Sequence, residues 1–499
     1  MPLRALAPQA SASANSATRT GTGPWGHDRI ADGEDNNRFV VLITCLPPRG
    51  QDGVVELSRQ DGSPEANVAQ GEVIGILQEL IRFDTSNDGT DSGPGEAAAA
   101  EYVEALLGEA GLDVERFDTT SSRRQGVVAR IRGTDPSRPA LLLHGHLDVV
   151  PAQAADWSVP PFAGEVVDGM VWGRGAVDMK DMDAMMLSLA RAWSRSGTAS
   201  SRDIVLLFIP DEEAGGQHGS HWIVDHRPDL LEGVSEGVSE VGGFSLTLPD
   251  ERRLYLIQTA EKGIAWMRLV AEGVAGHGSA IAADNAVSEL AGAITRISEH
   301  RWPVQLSPTA RRMVAAISEA FGMELDLDDP VELARQLGPA ARFIGAGTRN
   351  TSNPTMLEAG YKANVIPAHA TAVIDGRYVP GEDEAFLAEI DRLIGPRVRR
   401  EFINHDVALE AEFDVPLVAA MAAAIEHEDP GSLVAPYILS AGTDAKAFSR
   451  LGVQGYGFSP LQLPPDLDFT ALFHGVDERV PIDSVTFGVR ALDRFLRLA

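Results

Sequence analysis

One cysteine, Cys45, is present among 499 residues. No intrachain disulfide can form and no thiolate zinc site can be built, so any metal must be held by His, Asp and Glu. Basic residues are also scarce. Lys and Arg number 42 against 72 Asp and Glu, a formal charge of −30, and the pI is near 4.7. Such a field repels nucleic acid and anionic membranes, so neither is expected as a partner. By itself it describes a strongly hydrated acidic surface. Long apolar runs are missing near the N-terminus: Val40 to Leu46 is too short to span a bilayer and lacks the flank and placement of a secretion signal. A cytoplasmic location is the resulting expectation.

What is present is ordinary for a globular chain, with 44% hydrophobic and 23% charged residues and length enough for two or three domains. The tract QASASANSATRTGTGPWG has no periodicity and a small-residue composition, and residues 1–71 are expected to be a disordered extension. Order is expected from Glu72, where EVIGILQELIRF and then EAAAAEYVEALLGEAG carry apolar residues at helical spacing. GVVARI, ALLLHGH and DIVLLFIP are rich in branched residues and read as strands, GEVVDGMVWG as a hairpin, and DMDAMMLSLARAWSRS as a helix whose Met182, Met185, Met186, Leu189 and Trp193 form a core stripe. Strands alternating with helices predict an α/β domain with a largely parallel central sheet, and sites in such folds gather beyond the carboxyl ends of the strands.

From Gly263 the texture changes. GIAWMRLVAEG reads as a strand, AGHGS as a turn, and DNAVSELAGAITRISEH as a helix capped by Asp284. A less regular stretch runs to Gly347, followed by two antiparallel strands (TSNPTMLEAG, ATAVIDGRYV), a helix (EDEAFLAEIDRLI) and a last strand (VALEAEF). The expected organisation is one domain from 72–262 and 413–499, interrupted by an α+β unit over 263–412. No internal repeat stands out.

HGHLDVVP and PDEEAGG both follow predicted strands. Hard divalent metals favour carboxylates and zinc also accepts imidazole, so His146, Asp178, Glu212, Glu213, Glu240 and His474, each in a short polar loop, are the candidate ligands. His146 and Asp148 share a face of an extended chain, which lets the carboxylate fix the histidine's tautomer. His144 shares that parity, so spacing leaves it open; its deeper place in the strand reads as a hydrogen-bonded core histidine. Glu212 and Glu213 read either as a solvated turn or, since neighbours on an extended chain point opposite ways, as one ligand beside one free base. Near Glu240, Glu236 is a competing carboxylate.

GHLDVVP, GRGAVDMKD, PDEEAGG, SEVGG, AGHGS, ANVIP, DGRYVPG, SAGTDAKAF and FHGVDERVP occur in this order. In this the chain resembles the two-zinc metallopeptidases that include aminoacylase, carboxypeptidase G, acetylornithine deacetylase and succinyl-diaminopimelate desuccinylase, from about residue 72 to the end. The resemblance implies a phosphorylase/hydrolase-like catalytic domain and an inserted ferredoxin-like lid that dimerises. It implies two Zn²⁺ per subunit, with Co²⁺ or Mn²⁺ as substitutes. Asp178 would bridge them, His146 and Glu240 complete one site, and Glu213 and His474 the other. It makes Glu212 the general base, Asp148 the orienting residue, and His277 an oxyanion donor supplied by a partner subunit. It also implies a cis peptide at Asp178–Met179, and substrate contacts from Arg377, Asn364, Gly442 and Thr443, with Asp444 beside them. The departure from the usual pattern is SEVGG, where the family often has Asn before the acidic residue.

The leading expectation is metal-assisted hydrolysis of a peptide or N-acyl amide next to a free carboxylate, of carboxypeptidase or dipeptidase type. An arginine fork at Arg377 suits such a carboxylate. The alternatives are an aminoacylase or N-acyl amino acid deacetylase and, from another class, a non-catalytic amino-acid-binding protein.

Overall fold

Strands buried on both faces need apolar residues at every position rather than every second one. Ala140–Leu143 and Ile204–Ile209 meet that condition, and the strands Ala140–His146 and Ile204–Ile209 are buried throughout. In the computed structural model, which describes residues 62–90 and 92–499, these two strands pair in parallel at the heart of a sheet. Val234–Ser239 and Gln454–Gly457 extend the parallel core. Val114–Asp118 and Gln125–Ile131 form an antiparallel hairpin on one side; on the other, Arg253–Glu261 pairs antiparallel with Gln454–Gly457 and parallel with Leu433–Leu439. The helices Pro64–Arg82, Lys180–Ser196 and Ile482–Leu498 pack together against this sheet.

The first helix starts at Pro64, eight residues ahead of the Glu72 expected as the start of order. Its signal is local: the Ser63 side chain accepts from the Ala66 N–H, and proline occupies the first turn, where its missing N–H costs nothing. The remainder of the expected disordered extension, including Cys45 and the Val40–Leu46 run, lies outside the described residues. The Met-rich helix is not striped but buried almost all round, from Lys180 to Trp193. Two of its polar groups find partners inside, Lys180 Nζ donating to the carbonyls of Leu80 and Phe83 at 2.9 and 3.0 Å and Trp193 Nε1 to Asp493 at 2.7 Å, whereas Asp181 Oδ1 and both oxygens of Asp183 have no hydrogen-bond partner among the described residues.

A second, four-stranded sheet is wholly antiparallel, in the order Thr351–Ala359, His369–Tyr378, Gly263–Glu272, Val398–Asp406. With the helices Ala286–Glu299 and Asp383–Ile394 on one face, this is the ferredoxin-like arrangement. Three details differ from the sequence reading. The cap of Ala286–Glu299 is Asn285, whose side chain accepts from the N–H groups of Val287 and Ser288, rather than Asp284. The last strand is Val398–Asp406, hidden in the sequence because it is a charged, exposed edge strand; of VALEAEF, Leu409–Glu410 is extended and joins the large sheet. The stretch read as irregular holds the helices Pro308–Phe321, Pro330–Leu337 and Ala341–Gly347. Their Met313, Ile317, Leu333 and Ile344 pack into the large core, not that of the small sheet. The register Ile264↔Arg377 and Ile264↔Asp406 brings three strand ends of the small sheet to the cleft.

Gly145 shows how tightly the central strand meets the buried helix. A Cβ there would lie 2.1 Å from Asp183 Oδ1 and 2.9 Å from Met179 Cε. Gly145→Ala is expected to destabilise the fold by about 1–3 kcal/mol through overpacking, measured by denaturant unfolding; an unchanged midpoint would show that the strand and helix can separate at no cost.

Candidate metal centre

His146 is the last residue of a central strand and is 1% exposed, too deep to be left without partners. Its Nδ1 lies 2.9 Å from the carbonyl oxygen of Asp148, which turns Nε2 into the cleft. Nε2 there lies 3.2 Å from Asp178 Oδ1, 3.7 Å from Glu240 Oε1 and 4.0 Å from Glu212 Oε2. On the far side, His474 Nε2 lies 3.2 Å from Asp178 Oδ2 and 3.0 Å from Glu213 Oε2. The two oxygens of Asp178 thus face two different imidazoles. Two sets of donor atoms lie within 4.8 Å of one another: His146, Asp178 and Glu213, and His146, Glu212 and Glu240.

The backbone that delivers these groups is irregular. Asp178 precedes a cis peptide to Met179, the conformation implied by the resemblance, and Asp211, Val241 and His474 are in the left-handed region at φ 75°, 51° and 58°. The Glu212–Glu213 pair lies on a short helical turn, not an extended chain. The side chains still diverge, Glu212 towards His146 and Glu213 towards His474. Glu236 is engaged elsewhere, accepting from Arg202 Nη1 at 2.5 Å, and Glu240 is the carboxylate that reaches His146.

Asp148 does more than the sequence reading assigned to it, and partly something else. Its carbonyl, not its carboxylate, is the nearer partner of His146; the carboxylate Oδ1 stands 3.6 Å from Nδ1. The strand ends at His146, and the Asp148 carboxylate stays beside the imidazole while its hydrogen bonds go elsewhere. The carboxylate accepts the N–H groups of Glu212 and Glu213 at 3.0 and 3.1 Å and the Asn87 amide at 2.9 Å. His144 is a core residue edge-on to Phe448, ring centroids 5.0 Å apart, but its Nδ1 has no hydrogen-bond partner among the described residues, where a bonded histidine was expected. Burial pushes its pKa down to about 3, so it stays neutral.

Charge explains the crowding. Burial, joined by neighbouring carboxylates, pushes Glu212 well up, raises Glu213, and takes Glu240 to about 8. Burial raises Asp178 too, but the two imidazoles outweigh it and hold its carboxyl below the usual range. His474, bonded to Asp178 and Glu213, is raised to about 10. Four acidic side chains share two imidazoles, so without cations the cluster retains protons. Imidazole and carboxylate are the donors that zinc-like dications take, and binding displaces those protons.

A cleft of about 130 Å³ opens beside the cluster, lined by Glu212, Glu213, His474, Gly442, Thr443, Asp444 and Arg377. Thr443 is committed to Glu261 through its N–H and hydroxyl at 3.1 and 2.6 Å. Arg377 gives Nε and Nη2 to Asp375 at 2.6 and 3.2 Å and stacks over Trp266. His277 and Asn364 do not line this cleft. Both are exposed on a two-stranded tip, where the His277 Nδ1 meets Ser279 Oγ at 2.8 Å and the Asn364 carbonyl accepts the Gly278 N–H at 2.9 Å. Sequence reasoning passed over His221, Trp266, Asn404, Asp406 and Lys446, which complete the cleft. Lys446 lies within SAGTDAKAF without having been singled out, the other four lie outside the site motifs, and the Asp406–His221 contact of 3.3 Å joins residues 185 apart in sequence.

The model of peptidase family M20/M25/M40 matches residues 142–498. Aminoacylase-1 of Sus scrofa is 28% identical over 415 residues, covering 81% of this chain and 89% of that protein. A probable carboxypeptidase S-like 2 of Dictyostelium discoideum is 29% identical, with 71% of each chain covered. Among solved structures, the dipeptidase Dug1p of Saccharomyces cerevisiae superposes with a TM-score of 0.66 at 17% identity, over 87% of this chain and 97% of that one, a likeness of fold. The chain belongs to the M20/M25/M40 peptidase family. It is a metal-dependent hydrolase of peptide or N-acyl amino acid bonds.

The raised pKa of His474 carries a stability signature. The charged imidazolium stabilises the metal-free fold fully below the unfolded value of 6.5, and this is lost as pH rises through about 10. Metal-stripped protein is expected to lose melting temperature from pH 7 to pH 10 more steeply than a His474→Ala variant; parallel curves in scanning calorimetry would refute the assignment.

Proposed function

We propose that this chain is a dizinc hydrolase of carboxypeptidase or dipeptidase type, cleaving an amide next to a free carboxylate. The observation that carries the reading is Asp178, each of whose oxygens lies 3.2 Å from a different imidazole, the disposition a bridging carboxylate needs. His146 and Glu240 would hold one cation and Glu213 and His474 the other, with Co²⁺ or Mn²⁺ as substitutes for zinc. Bound there, the pair supplies Lewis acidity for the scissile carbonyl and brings the pKa of water towards neutrality.

The remaining work belongs to the chain. Glu212, raised by burial, accepts a proton from the attacking water and returns it to the leaving amine nitrogen. Asp148 fixes the turn that presents it. Arg377 would face the substrate carboxylate, together with Gly442 and Thr443, although Asp375 already neutralises much of its charge. The same site serves an N-acyl amino acid, the second reading, which the likeness to aminoacylase-1 favours. Among the described residues no helix is long and apolar enough to cross a membrane, and a cytoplasmic location is part of this proposal.

The small sheet also supports a homodimer. Its edge strand Thr351–Ala359 carries Met356 and Leu357 at 67% and 66% exposure, and an edge strand with exposed apolar side chains is a template for a second chain. Asn364 and His277 sit at that end of the small domain, so a partner's lid would deliver the oxyanion donor.

Two experiments test the proposed function. Glu212→Gln is expected to lower kcat by about 10²–10⁴-fold against a panel of dipeptides and N-acyl amino acids, with metal content unchanged; full activity would refute the base, and no turnover by the metal-loaded parent would favour a binding protein. Equal mixtures of Glu212→Gln and His277→Ala subunits are expected to recover about a quarter of parental activity through hybrid dimers. An active monomer by sedimentation would remove His277 from the site.

A further inference from the structure

The loops that carry Asp178 and His474 meet at a buried carboxylate that the mechanism above does not use. Glu478 is 0% exposed. Its Oε1 accepts the N–H groups of Val177 and Asp178 at 2.8 and 3.2 Å, and its Oε2 accepts the Gly175 N–H at 3.0 Å and Arg174 Nη1 at 2.7 Å. Arg174 then crosses to the other loop, its Nη2 reaching the His474 carbonyl at 3.5 Å. The Gly173 N–H returns the tie by donating to the Glu478 carbonyl at 3.0 Å. Neither loop is in a self-supporting conformation: Gly175, His474 and Asp477 have φ of 84°, 58° and 60°, and non-glycine residues hold such angles only where surroundings enforce them.

The other half of the cluster is anchored differently. His146 ends a buried strand and is fixed by the Asp148 carbonyl, and Glu240 follows the strand Val234–Ser239. Asp178 has a second anchor in the helix Lys180–Ser196, whose Lys180 is tied to Leu80 and Phe83. His474 lies in the loop between the short helical turn Phe469–Ala471 and the strand Arg479–Pro481, a loop also tied at Asp477 by Ser158.

We infer that Glu478 and Arg174 form a positioning pair that sets the reach of His474 to Asp178 and Glu213, and thereby the affinity of the cation on the His474 side more than of the one on the His146 side. This rests on the two-cation reading above. Loss of a group that orients a metal ligand typically costs 10–100-fold in affinity, and the cost here falls on one of two sites.

The test is zinc titration of the metal-stripped protein by calorimetry. The parent is expected to bind two equivalents. Glu478→Gln is expected to weaken one step by about 10–100-fold and leave the other within about threefold, and excess zinc is expected to restore kcat with KM little changed. Because Glu478→Gln leaves a buried guanidinium unpaired, the double variant Arg174→Met/Glu478→Gln is measured beside it, with circular dichroism to confirm the fold. A folded double variant whose two steps both match the parent, or both weaken equally, overturns the inference. A parent that binds no zinc overturns the two-cation reading itself, and the inference with it.

Discussion

Like charges crowded into a buried space set the terms for everything else in this structure. Asp178, Glu212, Glu213 and Glu240 converge on the imidazoles of His146 and His474 at contacts of 3.0–4.0 Å. Buried carboxylates repel one another and lose hydration, so such a cluster is costly unless protons or cations offset it. The protein keeps the arrangement because the carboxyl ends of parallel strands force loops together at one place, and because each loop is held by bonds that do not come from the cluster itself.

Those bonds are made by two more carboxylates. Asp148 accepts backbone N–H groups from Glu212 and Glu213, and Glu478 accepts them from Gly175, Val177 and Asp178. Each buries charge, and each is satisfied by several donors, which is the condition under which burial is tolerable. The same logic recurs at the junction of the two sheets. Lys446 donates to the Lys262 carbonyl at 2.8 Å and to the Val407 carbonyl at 2.7 Å, so one ammonium group ties both chain crossings between the large and small sheets. With its donors committed to Lys262, Val407 and Glu261, Lys446 lines the cleft as framework, not as a receptor for an anion.

Function follows from how this framework divides labour. Glu213 and Glu212 are neighbours in sequence, yet one faces His474 and the other faces His146, because a left-handed Asp211 turns the chain into a short helical turn. The cleft beyond them is lined with cations already matched to carboxylates, Arg377 to Asp375 and Lys446 to Glu261, and with His221 at 3.3 Å from Asp406. On the proposed function, a substrate carboxylate at Arg377 has to compete with an existing ion pair within the subunit.

Much of this was legible in the sequence, for physical reasons. Parallel strands must be apolar throughout, so Ala140–Leu143 and Ile204–Ile209 announced themselves, and metal ligands must be His, Asp or Glu in short loops beyond them. The helix start at Ser63–Pro64 had a readable cap that composition obscured, and the edge strand Val398–Asp406 was masked by its charge. What only the tertiary structure decided was which of two acidic residues reaches His146, what Asp148 actually binds, and whether Arg377, His277 and Asn364 meet in one subunit. These are distances between atoms far apart along the chain, set by left-handed loop residues and by bonds such as Glu478 to Val177, 301 residues away. Local residue preference carries the chemistry of a site; its geometry exists only once distant loops have closed on one another.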